Sequence, residues 1–453
     1  MKFLSCLFLL TVLSKAVFAQ VEFSATPERQ LESIRANLDS LERELDPMHM
    51  ALVEPLDALA DQLISIGQYD RAHRALDRAI QIVRINEGLY TPNQLPYQRK
   101  KILNTSNSGD WDNTRKQLEH LFWLYTKKTE FATPQLMDDL AFMADTHLRG
   151  IIEDGVEQQA YHLRRGSTAN WMALAIGEAL WGKDNPALVP IIYKTVNHLY
   201  LEKVATDRAD PTSRILREVE PDSGRLRSQE YMDFAYHQLG YRLLNQIKAI
   251  YSVEESVDEE ALAMAELYIA DWDSLFKKNE RALSTYKAAY DRLAEAVDDA
   301  ALVTAFFEKP RLLPVPVFFP SLEMAQLQTA AAISPAALRE ADIEDSVVFS
   351  EWSANFPLVP RPVTLPVGRK GQAGFAIFSF NILGAPDLSK LLRYRNPAPI
   401  GAAENLSLLG VSETTEEAAS MLMSKARYLR FRPKLIDGVP QQADAKLVYV
   451  PAA

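Results

Sequence analysis

Apolar residues recur at spacings of three and four from Val21 to about Phe307, with few strand-like runs. This period predicts amphipathic helices over most of the chain. Between Val53 and Arg84 the pattern predicts two antiparallel helices that join at Gly67, because glycine adopts a left-handed turn conformation without steric cost. The predicted fold class is therefore mostly α.

The pattern of this hairpin returns 42 residues further along the chain. Gly67-Gln68-Tyr69 returns as Gly109-Asp110-Trp111, and Thr91-Pro92 returns as Thr133-Pro134. A fixed period in this range indicates stacked helical hairpins. Such arrays bury a core only by stacking, and they expose long faces that usually bind other proteins.

Each repeated residue type has a steric reason. Small alanines let two helices approach closely, glycine allows the turn, and aromatic or leucine side chains fill the groove between the helices. The structural repeat positions are Leu59, Ala60, Gly67, Tyr69, Ala72, Ala79, Gly109 and Trp111. They resemble the tetratricopeptide repeat, which implies a helical-hairpin solenoid. The resemblance is good in the first copy, less regular in the second, and looser from Thr133 to Ala296.

The carboxy-terminal part changes to strand-like alternation. Gly374–Leu383 alternates as a strand, and Leu388–Arg395 can return as a second strand. An amphipathic helix is predicted over Thr415–Tyr428. After a turn at Asp437-Gly438, Ala443–Val450 is predicted to be the last strand. The pattern indicates a small α+β domain with the order ββαββ.

The predicted helix runs directly into Arg430-Phe431-Arg432-Pro433 and then Asp437-Gly438. This order resembles the carboxy-terminal domain of TonB-type energy transducers. The resemblance implies a domain that accepts an extended peptide beside a sheet edge, and Ala445–Val450 is one possible edge. A domain that only packs on the helical repeats is the alternative. Energy transduction is not expected, because TonB proteins keep a spanning helix that has no counterpart here.

Between these regions the chain is rich in proline. Nine of the 25 prolines lie between Pro310 and Pro366. Proline removes backbone donors and favours extended chain, so this part is interpreted as a connector that lies on a neighbour, which covers the connector's Phe318, Phe319 and Trp352. The predicted organisation is a signal peptide at 1–19, a tetratricopeptide-like helical domain at 20–307, the connector at 308–367 and a TonB-like domain at 368–453.

Residues 1–19 have a basic start, an apolar run and small residues before Gln20, which is typical of a cleaved secretory signal. The apolar run is shorter than the ~20 residues that a membrane-spanning helix requires. An uncleaved anchor and acylation at Cys6 are the alternatives. Because Cys6 is the only cysteine, the mature chain would have no disulfide and no thiolate metal site. The sequence thus predicts a periplasmic protein without a spanning segment after cleavage.

The net charge narrows the class of partner. The formal charge is −11, and it becomes −13 without residues 1–19, which contain two lysines and no acid. An acidic chain of this kind argues against nucleic acid and anionic lipid as general partners. Other envelope proteins or extended peptides are therefore the expected partners, and the oligomeric state stays open.

The sequence shows no motif of catalysis or metal binding. The seven histidines never pair at a metal-ligand spacing, and neither a phosphate-binding glycine loop nor a Gly-x-Ser-x-Gly elbow occurs. We therefore predict no catalytic residue, no metal and no cofactor. An enzyme whose site is formed by residues distant in sequence remains an alternative.

Repeat geometry suggests which residues bind a partner. The first helix of each hairpin would line the concave surface, and a basic stripe near Arg430 either binds an acidic partner or forms ion pairs within the protein. The candidate partner-binding residues are Asp57, Asp61, Ser65, Arg99, Asn107, Arg430 and Arg432. The leading hypothesis is a non-enzymatic scaffold or adaptor of the bacterial cell envelope. A TonB-related accessory of outer-membrane transport, which binds receptor peptides by strand addition, is the second hypothesis.

Overall fold

Helices predominate in the part of the chain that the structure describes, and small sheets lie near its carboxyl end. The computed structural model describes residues 27–127, 132–208, 229–253, 257–331, 346–349, 376–386, 398–411, 423 and 429–449. The chain divides into two compact units, Met1–Lys128 and Thr129–Ala453, called unit 1 and unit 2 below. Among the described helices, none is long and apolar enough to cross a membrane.

Unit 1 is built from helical hairpins. Its helices are α1 (Pro27–Glu44), α2 (Val53–Ser65), α3 (Tyr69–Glu87), α4 (Leu95–Asn107) and α5 (Trp111–Tyr125). Gly67 joins α2 to α3 with φ 72°, and Gly109 joins α4 to α5 with φ 78°. Both glycines thus occupy the left-handed region that their repeated position predicts.

The small residues of the repeat lie inside these hairpins. Ala60, Ala72 and Ala79 are fully buried. In the second hairpin Thr114 stands where Ala72 stands in the first, and its hydroxyl donates to the Asp110 carbonyl at 2.8 Å. A buried polar group needs a hydrogen-bond partner, and this bond lets a threonine replace an alanine in the core.

The repeat register ends where unit 2 begins. Thr133 caps the next helix, because its hydroxyl accepts from the Leu136 N–H at 3.2 Å. The residue 42 positions after Gly109 is Ile151, which is fully buried and lies within that helix. The helix therefore continues past the expected turn.

Unit 2 contains the longer helices. They are α6 (Pro134–Glu153), α7 (Gln159–Trp181), α8 (Val189–Arg208), α9 (Gln229–Tyr251), α10 (Glu259–Leu275), α11 (Asn279–Ala296), α12 (Ala300–Glu308) and α13 (Leu322–Ala331). Every residue of α10 from Ala261 onward is buried, so α10 is the central helix of this unit. A helix that is buried on all sides includes its polar residues in the core.

The first part of the proline-rich connector packs on these helices. The Tyr193 hydroxyl donates to the Val315 carbonyl at 2.8 Å, and the Tyr268 hydroxyl donates to the Val317 carbonyl at 2.9 Å. Phe318 is buried against the rings of Tyr193 and Tyr268. Tyrosine hydroxyls therefore satisfy carbonyls of a segment that prolines keep out of regular structure. Trp352 lies outside the described residues.

The strands are β1 (Arg311–Leu313), β2 (Ser346–Phe349), β3 (Ala376–Ile382), β4 (Ala403–Val411), β5 (Arg430–Arg432), β6 (Lys434–Ile436), β7 (Val439–Gln441) and β8 (Ala443–Tyr449). One sheet has the order β2-β8-β3-β4, with β3 antiparallel to both of its neighbours and β2 parallel to β8. β6 and β7 form a hairpin. Its turn is Asp437-Gly438, as predicted, with positive φ at both residues.

Three details of this region differ from the sequence prediction or extend it. Ala445–Val450 is one possible sheet edge by sequence, but within the described residues β8 lies between β2 and β3 and is not an edge. The strand β4, which pairs with β3, was not predicted. The predicted strand Leu388–Arg395 lies outside the described residues, as does the predicted helix Thr415–Tyr428 apart from residue 423.

A buried ion pair fixes β5 to the central helix. Arg432 Nε donates to Asp271 Oδ1 at 2.9 Å, Nη2 donates to Oδ2, and the Tyr286 hydroxyl donates to Oδ1 at 2.9 Å. Arg311 lies opposite Arg432 in the β1–β5 pair, and the Phe306 ring lies 4.7 and 5.5 Å from the two guanidinium carbons. Burial, and then the neighbouring charge of Arg432, lower the pKa of Arg311 to about 10.

We expect Arg432→Met to lower the free energy of unfolding by about 3–5 kcal/mol, because it leaves the Asp271 carboxylate buried without its charged partner. Urea unfolding of the protein measures this change. Lys434→Met is the matched control, since Lys434 lies two residues away with a partly exposed ammonium 3.9 Å from Glu308. Lys434→Met should lower the free energy of unfolding by less than about 1 kcal/mol. Equal losses in the two variants would contradict the role of the buried pair.

Candidate binding groove

Unit 1 contains a groove of about 640 Å³ between α3, α4 and α5. Asp77, Arg84 and Ile85 line it from α3, Gln98 and Lys101 line it from α4, and Lys116 and His120 line it from α5. Leu89 lines it from the segment that follows α3. We call this surface the cationic groove.

Positive charge exceeds negative charge in the cationic groove. Its lining carries Arg84, Lys101 and Lys116 against a single carboxylate, Asp77. Lys101 forms an ion pair with Asp77. Lys116 is exposed and makes no ion pair within the described residues. The chain as a whole has a net charge of −11, so this local surplus of positive charge is unusual for it. A positively charged groove favours an anionic occupant.

Arg84 is held by neutral groups. Its Nε donates to Gln94 Oε1 at 2.7 Å, and its Nη2 lies 3.0 Å from His120 Nε2. Burial first, and then the charges of Arg84 and Lys101, lower the pKa of His120. The imidazole is therefore mainly neutral at pH 7 and accepts the hydrogen bond from Arg84. No carboxylate forms an ion pair with the guanidinium among the described residues.

Apolar side chains border this charged surface. Ile85 and Leu89 are 59% and 56% exposed. Beside them, Trp123 stacks on His120 with a centroid distance of 5.5 Å and meets the Tyr90 ring edge-on at 5.6 Å. Large apolar side chains that lie exposed together often mark an interaction site.

One polar atom of the groove has no partner. Gln98 is 2% exposed, and its Oε1 is buried without a hydrogen bond. A buried acceptor without a hydrogen bond lowers the stability of the fold, and most buried acceptors in proteins are paired. A ligand that donates an N–H to Gln98 would remove this cost.

The structure places the predicted binding residues outside the cationic groove. Asp57 and Asp61 both accept from Lys100 Nζ, each at 2.7 Å, so they join α2 to α4. Ser65 is exposed, and its hydroxyl donates to the Gln62 carbonyl at 2.8 Å. Asn107 is exposed at the end of α4, and Arg99 is half-buried. Their role in binding stays a prediction.

The two arginines of the basic stripe lie within unit 2. Arg432 is 3% exposed and bonds Asp271, as the internal ion-pair interpretation of the stripe proposes. Arg430 is half-buried, and its Nη1 donates to the Leu429 carbonyl at 2.8 Å. Burial lowers the pKa of Arg430. The guanidinium of Arg432 is thus inside the protein.

Unit 2 also contains a buried histidine cluster that the sequence did not indicate. His147 Nδ1 lies 3.0 Å from His162 Nδ1, and His162 Nε2 lies 2.9 Å from Asp154 Oδ2. His198 Nε2 donates to the Leu163 carbonyl at 2.7 Å. Within the described residues, no group of His, Cys, Asp and Glu has an arrangement that would hold a metal ion.

Two glycines make room for these rings. A Cβ at Gly150 would lie 2.4 Å from the His162 ring, and one at Gly166 would lie 2.7 Å from the His198 ring. The interval from His147 to His162 is 15 residues and from His162 to His198 it is 36. The cluster is therefore formed by helix packing, and the close glycines are the only local signal of it.

Comparison with known proteins adds little to this geometry. No protein-family model matches the chain, and no curated protein matches it. The crystal structure of BtubC (BKLC) from P. vanneervenii is similar at 15% identity, with a TM-score of 0.34. The match covers 62% of this chain and 92% of that chain. A similarity at this level shows neither a family nor a function.

We expect unit 2 to lose stability in acid. Burial lowers the pKa of His198 from 6.5 to about 4, so between these values the unfolded chain binds a proton that the folded chain does not. The contribution is complete above pH 6.5 and falls by about 3 kcal/mol as the pH decreases to 4. Burial also lowers the pKa of His147.

Urea unfolding at several pH values tests this expectation. His198→Gln keeps a side-chain donor but takes up no proton. Between pH 4 and 6.5, the slope of its unfolding free energy against pH should therefore be smaller than that of the unaltered protein, by the amount that corresponds to about one bound proton. His49→Gln is the control, because it removes an exposed histidine of unit 1. The same pH dependence in His198→Gln and the unaltered protein would contradict the expectation.

Proposed function

We propose that this protein is a non-enzymatic scaffold of the bacterial cell envelope, and that its cationic groove binds an acidic segment of a partner protein. We propose further that residues 20–307 form a tetratricopeptide-like solenoid, that residues 368–453 form a TonB-like domain, and that the mature protein is periplasmic. The repeated hairpins of unit 1 and the signal-like sequence of residues 1–19 support these proposals.

One observation carries the proposal about the groove. A surplus of cations, exposed apolar side chains and an unpaired acceptor occur together on one surface. Carboxylates of a partner would pair with Lys116 and Arg84, and apolar side chains would cover Ile85 and Leu89. A backbone N–H would donate to Gln98 Oε1. An acidic peptide with interspersed apolar residues meets all three requirements, whereas a nucleic acid has no apolar side chains to cover Ile85 and Leu89.

Binding of two synthetic peptides to the mature chain tests this function. One peptide alternates glutamate with leucine and phenylalanine, and the other has lysine in place of glutamate. We expect only the acidic peptide to bind, with an affinity that falls as salt rises. Lys116→Glu should weaken binding about tenfold or more, because it places a carboxylate against the ligand. Arg74→Glu reverses the same charge at an exposed position of α3 that does not line the groove, and should change binding little.

Two further readouts separate binding from folding. Gln98→Leu should leave the unfolding free energy unchanged or raise it, because it removes a buried unpaired acceptor, yet it should weaken peptide binding. The pKa of His120, followed by NMR, should rise when the acidic peptide binds, because a nearby carboxylate stabilises the imidazolium. Equal binding of both peptides, or equal effects of Lys116→Glu and Arg74→Glu, would refute the proposed site.

An edge strand supports a second candidate function, the binding of an extended receptor peptide by strand addition. Within the described residues β4 pairs only with β3, and it ends the sheet order. Leu409 on this strand is 56% exposed and lies at an irregularity of the pairing with β3. An exposed edge offers unpaired backbone groups to another chain.

We expect Leu409→Asp to abolish binding of an extended periplasmic receptor peptide while leaving stability nearly unchanged, because a charge on an edge strand opposes pairing. Fluorescence anisotropy with a labelled peptide measures the binding. Ile436→Asp introduces the same charge at an exposed position of β6 and serves as the control. Undiminished binding by Leu409→Asp would exclude β4 as the site.

A further inference from the structure

Unit 2 contains a pocket of about 130 Å³ between α6, α7, α8 and the prolines Pro314 and Pro316. Its polar lining consists of Asn170 from α7 and of Asp145, Lys194, Asn197 and His198 from α6 and α8. Its remaining walls are apolar. The pocket lies outside the surfaces assigned to protein binding above, so it is a separate site.

Two asparagine amides in this pocket have hydrogen-bonding capacity to spare. Asn197 Nδ2 donates to the carbonyls of Val315 and Pro316, at 3.2 and 3.1 Å, while its Oδ1 is buried without a partner. Asn170 is 5% exposed and makes no hydrogen bond within the described part of the chain. Buried amide oxygens are normally satisfied, so Asn197 Oδ1 points to an occupant that supplies the missing bond, and the Asn170 amide lines the same pocket and can bond that occupant.

The pocket carries no net charge. Lys194 Nζ and Asp145 Oδ2 pair at 2.7 Å, so their charges cancel. His198 is neutral near pH 7, because burial lowers its pKa to about 4. A charged occupant would lose its hydration in this pocket and find no unpaired opposite charge there. A neutral occupant is therefore favoured.

The free atoms define the chemistry of this occupant. Asn197 Oδ1 requires a donor, and the Asn170 amide offers both a donor and an acceptor. A carboxylate has no donor for Asn197, and an ammonium has no acceptor for Asn170. The volume corresponds to about four waters at about 30 Å³ each, or to an organic group of a few heavy atoms.

We propose that this pocket binds a primary carboxamide group, which donates to Asn197 Oδ1 and accepts from Asn170 Nδ2. The group comes either from a small free amide or from a glutamine or asparagine side chain of a bound peptide. The two sources share this chemistry and differ in the size of the molecule that carries it.

Acetamide and acetate, which have nearly the same shape, are the probes. They are titrated into the mature protein while side-chain amide signals are followed by NMR. We expect acetamide to shift the signals of Asn170 and Asn197 with a Kd of about a millimolar, since so small a ligand has few atoms to contribute. Acetate should bind at least about tenfold more weakly. Equal shifts with both probes, or no shift with either, would show that the pocket holds only water and overturn the proposal.

A substitution provides the matched control. Asn170→Asp removes the Nδ2 donor and should weaken acetamide binding about tenfold or more. Lys183→Gln makes the same change of net charge at an exposed position outside the pocket and should leave binding unchanged. The discrimination between acetamide and acetate needs no variant, so the proposal stays testable if Asn170→Asp fails to fold.

A short peptide with a glutamine at its centre distinguishes the two sources. Tighter binding of this peptide than of acetamide identifies a peptide side chain as the occupant, and weaker binding identifies a free amide. Lys116→Glu in unit 1 should not change acetamide binding. Loss of peptide binding at the cationic groove and loss of amide binding at this pocket are therefore separable results.

Discussion

The buried carboxylates of α10 are the constraint on which unit 2 depends. Asp271 and Asp273 lie in the part of α10 that is buried on all sides, where an unpaired charge would be strongly destabilising. Arg432 and the Tyr286 hydroxyl satisfy Asp271, and His237 Nε2 bonds Asp273 at 2.7 Å. Arg432 belongs to β5, and β5 pairs with β1. The ion pair between Arg432 and Asp271 therefore also fixes the last strands and the start of the connector to the helices.

Unit 1 and unit 2 differ in how their charges are satisfied. In unit 2 the Asp271–Arg432 and Asp273–His237 pairs are buried and bonded internally, so these groups contribute to folding. In the cationic groove of unit 1, Lys116 is exposed and Gln98 Oε1 is unpaired. Groups that the fold leaves unsatisfied are the ones that a ligand can satisfy, and this contrast is the basis for the proposed function.

Features that depend on adjacent residues were predictable. Gly67 and Gly109 adopt positive φ, Thr133 caps a helix, and Asp437-Gly438 forms a hairpin turn. Each is decided by the steric and hydrogen-bonding properties of a few neighbouring residues. The cationic groove was not predicted. Repeat geometry predicted a binding surface on the first helix of each hairpin, which includes Asp57, and Asp57 forms an ion pair with Lys100 instead of lining the groove.

The sequence by itself determined the helical hairpins, their glycine turns and the strand-like end of the chain, because helix period, turn chemistry and alternation act over short distances. Only the tertiary structure decided which polar groups meet. It placed β8 inside its sheet, brought His147 beside His162, and buried Arg432 on Asp271 across 161 residues. The partner of a buried charge is selected by the packing of whole elements, and sequence distance carries no information about that choice.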